Sequence, residues 1–194
     1  EYWRQLKDSG DNEIAESRST SDEIKDIDIQ VETDVDITSD SSVAQLVKKL
    51  DGKSIDVLIN NAGIIERVSL DNLDFDSIRK QFEVNAVGPL RLTQALLNNL
   101  KSGSKIILMT SRMGSIDDNT SGGSYGYRMS KVALSMAGKS LSEDLKSKGI
   151  PVAILHPGLV QTRMTGFSGI TTEESVKGLL ARINELNMEN TGTF

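Results

Sequence analysis

The sequence predicts an α/β chain built on a doubly wound parallel sheet. Short apolar runs at 55–59 (IDVLI), 105–110 (KIILMT) and 151–155 (PVAIL) alternate with amphipathic stretches of helical period. Each run is continuous rather than alternating, as in a strand covered on both faces, and each stops at a cluster of turn formers. Strands that alternate with helices in this way pair in parallel.

Residues 1–7 (EYWRQLK) read as the last turns of a helix, stopped by Asp8-Ser9-Gly10. Residues 13–17 form a short strand, followed by a polar stretch at 19–25. Residues 27–37 (IDIQVETDVDI) alternate apolar and polar positions, the period of a half-buried strand. Residues 39–51 set Val43, Leu46, Val47 and Leu50 at helical spacing. The run at 55–59 ends in Asn60-Asn61-Ala62-Gly63. Residues 74–100 form a long amphipathic helix interrupted at Gly88-Pro89, and 125–148 form a second one ended by Gly149. The strand at 151–155 ends in His156-Pro157-Gly158, and a last helix at 171–186 opens with the cap-like Thr171-Thr172-Glu173-Glu174. No repeat or low-complexity linker divides the chain, so residues 1–194 are expected to be one domain.

Composition excludes several kinds of function. A net charge of −6 and a pI near 4.9 argue against nucleic acid and anionic membranes, which need a basic face. The longest apolar runs are a few residues, too short to span a bilayer, and no secretory signal is read at the start. The absence of cysteine removes disulfides and thiolate sites and fits a reducing, cytoplasmic setting. With a single histidine as well, no metal centre is expected.

In doubly wound sheets ligands sit beyond the carboxyl ends of the strands. Those ends carry NNAG (60–63), TSRMGS (110–115) and HPGLVQT (156–162), joined by Asn85 and by YGYRMSK (125–131). Tyr127 and Lys131, four apart on a helix, share a face. A phenol of pKa ~10 is a poor acid or base at neutrality, and lowering it by about three units takes roughly 4 kcal/mol. A cation about 4 Å away at an effective dielectric near 20 supplies roughly that amount. Lys131 is the expected source. Tyr125 is a rival, but its four-residue step lands on uncharged Met129. Ser111, ending a strand, can hold and polarise a substrate oxygen while Tyr127 transfers the proton, with Ser115 a weaker candidate. Asn85 is a poor helix-interior residue and Pro89 lacks a donor, so a local distortion that frees a backbone carbonyl is expected. Gly63 permits close approach of the backbone to a ligand, and Pro157-Gly158 make a turn.

Taken in order and spacing, these five motifs resemble the short-chain dehydrogenase/reductase family over nearly the whole chain. The phrasing TSRMGSI, YRMSK and HPGLVQTRMTG is most similar to carbonyl reductases related to sniffer and C-factor. The resemblance implies a Rossmann-like fold and hydride transfer between a nicotinamide and a carbonyl or alcohol carbon. It implies Asn85, Ser111, Tyr127 and Lys131 as the catalytic set, with Lys131 also bonding the nicotinamide ribose and Asn85 holding a water in a proton relay. Asn60 and Ala62 would border the adenosine ribose, Asp36 would contact the adenine, and Val160 and Thr162 would meet the carboxamide and pyrophosphate. Ser111 precedes Tyr127 by sixteen residues, longer than the usual spacing, and 117–124 absorbs the excess as a pocket-shaping loop. His156 is expected to pack or hydrogen-bond, not to act as the base.

Cofactor choice turns on the end of the strand at 13–17, where an acid would bind ribose hydroxyls and an arginine the extra phosphate. Arg18, flanked by Ser17 and Ser19, favours NADP(H), and Glu16 is the counter-evidence. Family members pair through their two long helices, which implies a homodimer or homotetramer acting on a small-molecule substrate.

The chain departs from the family at both ends. The glycine-rich phosphate loop and its strand are missing, since Gly10 and Gly52 alone precede residue 60, and TGTF stops where relatives continue into a last strand. Both ends are therefore expected to be cut. The absent first strand would lie at the centre of the sheet, between the strand near residue 15 and 55–59. The competing reading is a non-catalytic descendant that works as a signalling or interaction module. An extended-family epimerase or dehydratase is disfavoured, because too few residues follow Thr162 for a substrate domain.

Overall fold

A computed structural model describes residues 4–6, 14–16 and 30–194. Strands β1 (Ile14–Glu16) and β2 (Gln30–Glu32) pair in parallel, Ala15 opposite Val31. Helix α1 (Asp40–Lys49) follows, its N-cap Ser39 accepting from the Ser42 amide. Strand β3 (Ile55–Asn60) leads through a loop to helix α2 (Phe75–Phe82), a π-helical turn at Glu83–Val87, and helix α3 (Gly88–Ala95). Strand β4 (Leu100–Met109), helix α4 (Tyr125–Asp144), strand β5 (Val152–Leu155) and helix α5 (Thr172–Glu185) complete the order. Strands β3, β4 and β5 form one parallel sheet in that order.

The period of β4 explains why the sheet is wound on both faces. Successive side chains of a strand point to opposite faces. Ile106 and Leu108 enter a core with Val43 and Leu46 of α1, its C-cap Leu50, Leu92 of α3 and Leu134 of α4. Ile107 and Met109 enter a second core with Leu179 and Ile183 of α5. Val152 and Ala153 of β5 divide in the same way.

Among the described residues β1 pairs only with β2 and β3 only with β4, so the strands form two sheets. Ile14 packs against the core to which Leu58 of β3 belongs. Strand β3 departs from the expectation of burial on both faces: Asp56 is exposed and Val57 is 40% exposed. At the far end, residues 191–193 follow the outer edge of β5, with the Gly192 amide donating to the Val152 carbonyl at 2.8 Å.

The long helix expected over 74–100 is three pieces. The break falls at residues 83–87, ahead of Gly88-Pro89, and Pro89 sits in the first turn of α3, directly after the π-turn. Of the alternating stretch 27–37, the described residues 30–37 show ladder pairing only at β2, and Val35 to Thr38 turn into α1. No helix of the described residues is long and apolar enough to cross a membrane.

Helix α4 lies close on the sheet because of Gly138. A Cβ there would come within 2.7 Å of Ile154 Cγ1 and 2.9 Å of Leu108 Cδ1. Gly138→Ala is expected to destabilise the fold by about 1–3 kcal/mol through overpacking, read as a lower urea midpoint at unchanged slope.

Candidate active site

The carboxyl ends of β3 and β4 and the first two turns of α4 meet in one place. Ser111, two residues past β4, is 7% exposed, and its Oγ accepts from the Met113 amide at 3.1 Å. The Ser111 side chain also lies by the Tyr127 phenol, where it favours the ionised form. Thr110 secures the approach of strand to helix, its Oγ1 donating to the Lys131 carbonyl at 3.0 Å. Tyr127 is 8% exposed and Lys131 4% exposed, with the ammonium nitrogen 5.6 Å from the centre of the Tyr127 ring.

The charge state of this pair differs from the sequence expectation. Burial pushes the Tyr127 phenol above its ordinary value of 10, and the Ser111 hydrogen bond opposes that only in part. Lys131 is itself lowered to about 8 by burial. Its Nζ donates to the Met109 carbonyl at 2.8 Å. The spacing delivers the contact, but the same burial that brings the ammonium to the phenol also discharges it in part. The protein alone therefore holds Tyr127 as a neutral acid.

Asn85 sits at the centre of the π-turn and is fully buried. π-Turns insert one residue into a helix and occur often at functional sites. The Gly88 amide reaches back to Glu83, and Pro89 has no N–H to offer the Asn85 carbonyl. The expected distortion is thus present. The Asn85 side chain is fully engaged: Oδ1 accepts from the Ile64 amide at 2.8 Å, and Nδ2 donates to the Ile64 carbonyl at 2.8 Å and to Ser130 Oγ at 2.9 Å. Ser130, fully buried, donates on to the Tyr127 carbonyl at 2.8 Å. Sequence reasoning missed Ser130, whose only signal is its place beside Lys131.

Gly63 borders the same centre, since a Cβ there would lie 3.4 Å from both Asn85 Oδ1 and Lys131 Nζ. Asn60 is buried, its Nδ2 donating to Thr93 Oγ1 at 3.2 Å while its Oδ1 has no partner. Ala62 is exposed. Asp36 accepts from the amide and hydroxyl of Thr38 at 2.9 and 2.7 Å, and Arg91 fixes the loop by donating to the Ile37 carbonyl at 2.9 Å. Pro157, Gly158, Val160 and Thr162 lie on the loop after β5. The Pro157 carbonyl accepts from Ser175 of α5 at 2.7 Å, Val160 bridges Ile170, and Thr162 caps a short turn closed by Thr165. Gly158 has φ +86°. His156 keeps Nδ1 buried without a partner, and its pKa is lowered by burial and by the charge of Arg112. Ser115 serves a turn, accepting from the Asp118 amide at 3.3 Å. Arg18 lies outside the described residues. No group of three or more acidic or histidine side chains among the described residues is placed to hold a metal ion.

Comparison with known proteins places this arrangement in a family. The profile described as short chain dehydrogenase matches residues 9–172. A 1-hydroxy-2-glutathionyl-2-methyl-3-butene dehydrogenase of Rhodococcus sp. (strain AD45) is 40% identical, over 98% of this chain and 88% of its own. The C-signal of Myxococcus xanthus is 46% identical over 72% of this chain and 87% of its own. Among solved structures, the carbonyl reductase Sniffer of D. melanogaster superposes with a TM-score of 0.87 at 30% identity, covering 92% of this chain and 82% of that one. The NADPH-bound carbonyl reductase from chicken fatty liver superposes at 0.81 with 28% identity, over the same shares of the two chains. The chain belongs to the short-chain dehydrogenase family of oxidoreductases.

Proposed function

We propose that this protein is an NADP(H)-dependent carbonyl reductase or alcohol dehydrogenase in which Tyr127 is the general acid/base. The observation that carries the reading is the buried contact of Tyr127 with Ser111 on one side and Lys131 on the other, at the carboxyl end of the sheet. A bound nicotinamide supplies or accepts the hydride. Ser111 holds the substrate oxygen beside the phenol. Tyr127 donates its proton to that oxygen as charge develops there, and the Lys131 ammonium stabilises the phenolate left behind. A phenol held neutral by burial suits the direction of carbonyl reduction, and alcohol oxidation needs it deprotonated first.

Two observations support cofactor residence on this face. Gly63 lets backbone approach Lys131 and Asn85 where a side chain would crowd them, and Asn60 presents a buried oxygen without a donor. Lys131 would hold the nicotinamide ribose. Asn60, Ala62 and Gly63 would border the adenosine side, Asp36 the adenine, and Pro157, Gly158, Val160 and Thr162 the carboxamide and pyrophosphate. Arg18 and the NADPH in the chicken relative support NADP(H) over NAD(H). Exposed Met129, Val132 and Met136 on α4, with Phe75, Phe82 and Leu90 on α2 and α3, support pairing as a homodimer or homotetramer.

The test is fluorescence titration with NADPH and with NADH, followed by loss of nicotinamide absorbance with a panel of aldehydes and quinones. Tighter binding of NADPH, by about tenfold or more, with turnover of some carbonyls is the expected result. No binding of either nucleotide would favour an interaction module.

A further inference from the structure

We propose that Gln81 is a positioning residue for carbonyl binding, paired with Asn85 in clamping the backbone at residues 64–68 along the flank of the Tyr127 helix. The inference rests on the carbonyl-reductase reading above and names a residue which that reading does not use.

Gln81 is fully buried and lies one helical turn before Asn85. Its Oε1 accepts from the Glu66 amide at 3.0 Å, as Asn85 Oδ1 accepts from the Ile64 amide at 2.8 Å. Its Nε2 donates to the buried Ser77 Oγ at 3.1 Å, which fixes the amide's orientation. Two residues further, the Val68 carbonyl accepts from the Ser124 amide at 3.0 Å. Alternate residues 64, 66 and 68 are therefore held in turn by the π-turn, by α2 and by the residue that opens α4. The held strip follows Gly63, beside Lys131, and ends at Val68, bonded to Ser124 at the opening of α4.

Gln81 also meets α4 directly. A Cβ on Gly126 would lie 2.7 Å from Gln81 Nε2, so the amide fills the space that the glycine next to Tyr127 leaves open. A buried amide bonded at both ends, wedged between a loop and the catalytic helix, fixes the distance between them. Without it the Glu66 N–H loses its acceptor, and the strip is released from the flank of Tyr127. None of the residues placed above at the cofactor lies within 64–68, so the effect is expected at the carbonyl substrate.

Gln81→Met keeps the side chain's length and removes the amide. Gln81→Glu keeps the acceptor, with a carboxyl held neutral by burial. Gln81→Met should speed exchange of the Glu66 amide, followed by NMR, at least tenfold. It should also raise KM for the carbonyl about tenfold, with kcat and the KM for NADPH within about threefold. Gln81→Glu should restore both readouts to within about threefold of wild type. Where Gln81→Met fails to fold, Ser77→Ala frees the amide's orientation, and smaller changes of the same sign are expected. Unchanged Glu66 exchange overturns the clamp. Faster exchange at unchanged carbonyl KM, or a fall in kcat alone, overturns the substrate role. The exchange readout needs no turnover, so a wild type that reduces no carbonyl defeats the functional reading and leaves the clamp to be decided by exchange.

Discussion

Tyr127→Phe is expected to lower kcat/KM for carbonyl reduction about a thousandfold while the NADPH dissociation constant stays within about threefold. The substitution deletes one oxygen. That oxygen carries the proton which the proposed mechanism delivers to a substrate oxygen held by Ser111, and Lys131 faces the Met109 carbonyl instead. The ring stays in its buried place and still covers Lys131. Steady-state rates and a fluorescence titration on the same preparation check both halves. Turnover like that of the wild type would remove Tyr127 from its role. An equal loss of NADPH affinity would make it a structural residue.

Lys131→Met is expected to stabilise the fold at pH 7 and to impair catalysis. Lys131 titrates near 8 in the fold against an ordinary 10.5. Below pH 8 both folded and unfolded chains carry the proton, so the fold bears the whole cost of a buried ammonium. Between about 8 and 10.5 the unfolded chain binds more protons, and wild-type stability rises with pH. The difference amounts to on the order of 3 kcal/mol, less about 1 kcal/mol for the lost bond to the Met109 carbonyl. Urea midpoints should thus favour Lys131→Met by roughly 2 kcal/mol at pH 7, with the advantage shrinking by roughly 1 kcal/mol at pH 9. A variant less stable than wild type at pH 7 would show that the ammonium is not a burden on the fold. A residue kept at such a cost is kept for its charge.

The runs at 105–110 and 151–155 were legible because a strand under helices on both faces shows little besides its hydrophobicity, and 55–59 read alike although Asp56 and Val57 are exposed. The first stretch of β4 was not, since LKSGS at 100–104 is polar and pairs with Ile55 through an irregular register set by the tertiary fold. The helix break was legible as a need, from Asn85 and Pro89. Its form, a π-turn ahead of the proline, was not. At the site, the four-residue step from Tyr127 to Lys131 announced the pairing, but spacing carries no information on burial. The direction of the Tyr127 shift therefore came out opposite to the one expected. Gln81 and Ser130 stayed hidden for a related reason. A glutamine or serine at helical spacing reads as a solvent face until its partner, Glu66 or Asn85, is known from the fold.

The most direct test of the central claim, that a neutral buried phenol gives its proton under the charge of Lys131, is the pH profile of kcat/KM for reduction. Wild type should be level from about pH 6 to 7.5 and fall along a limb centred near 8 as Lys131 loses its charge, and Lys131→Met should be uniformly slow without that limb. A limb near 8 that survives in Lys131→Met, or a profile that rises through the range where His156 titrates, would contradict it.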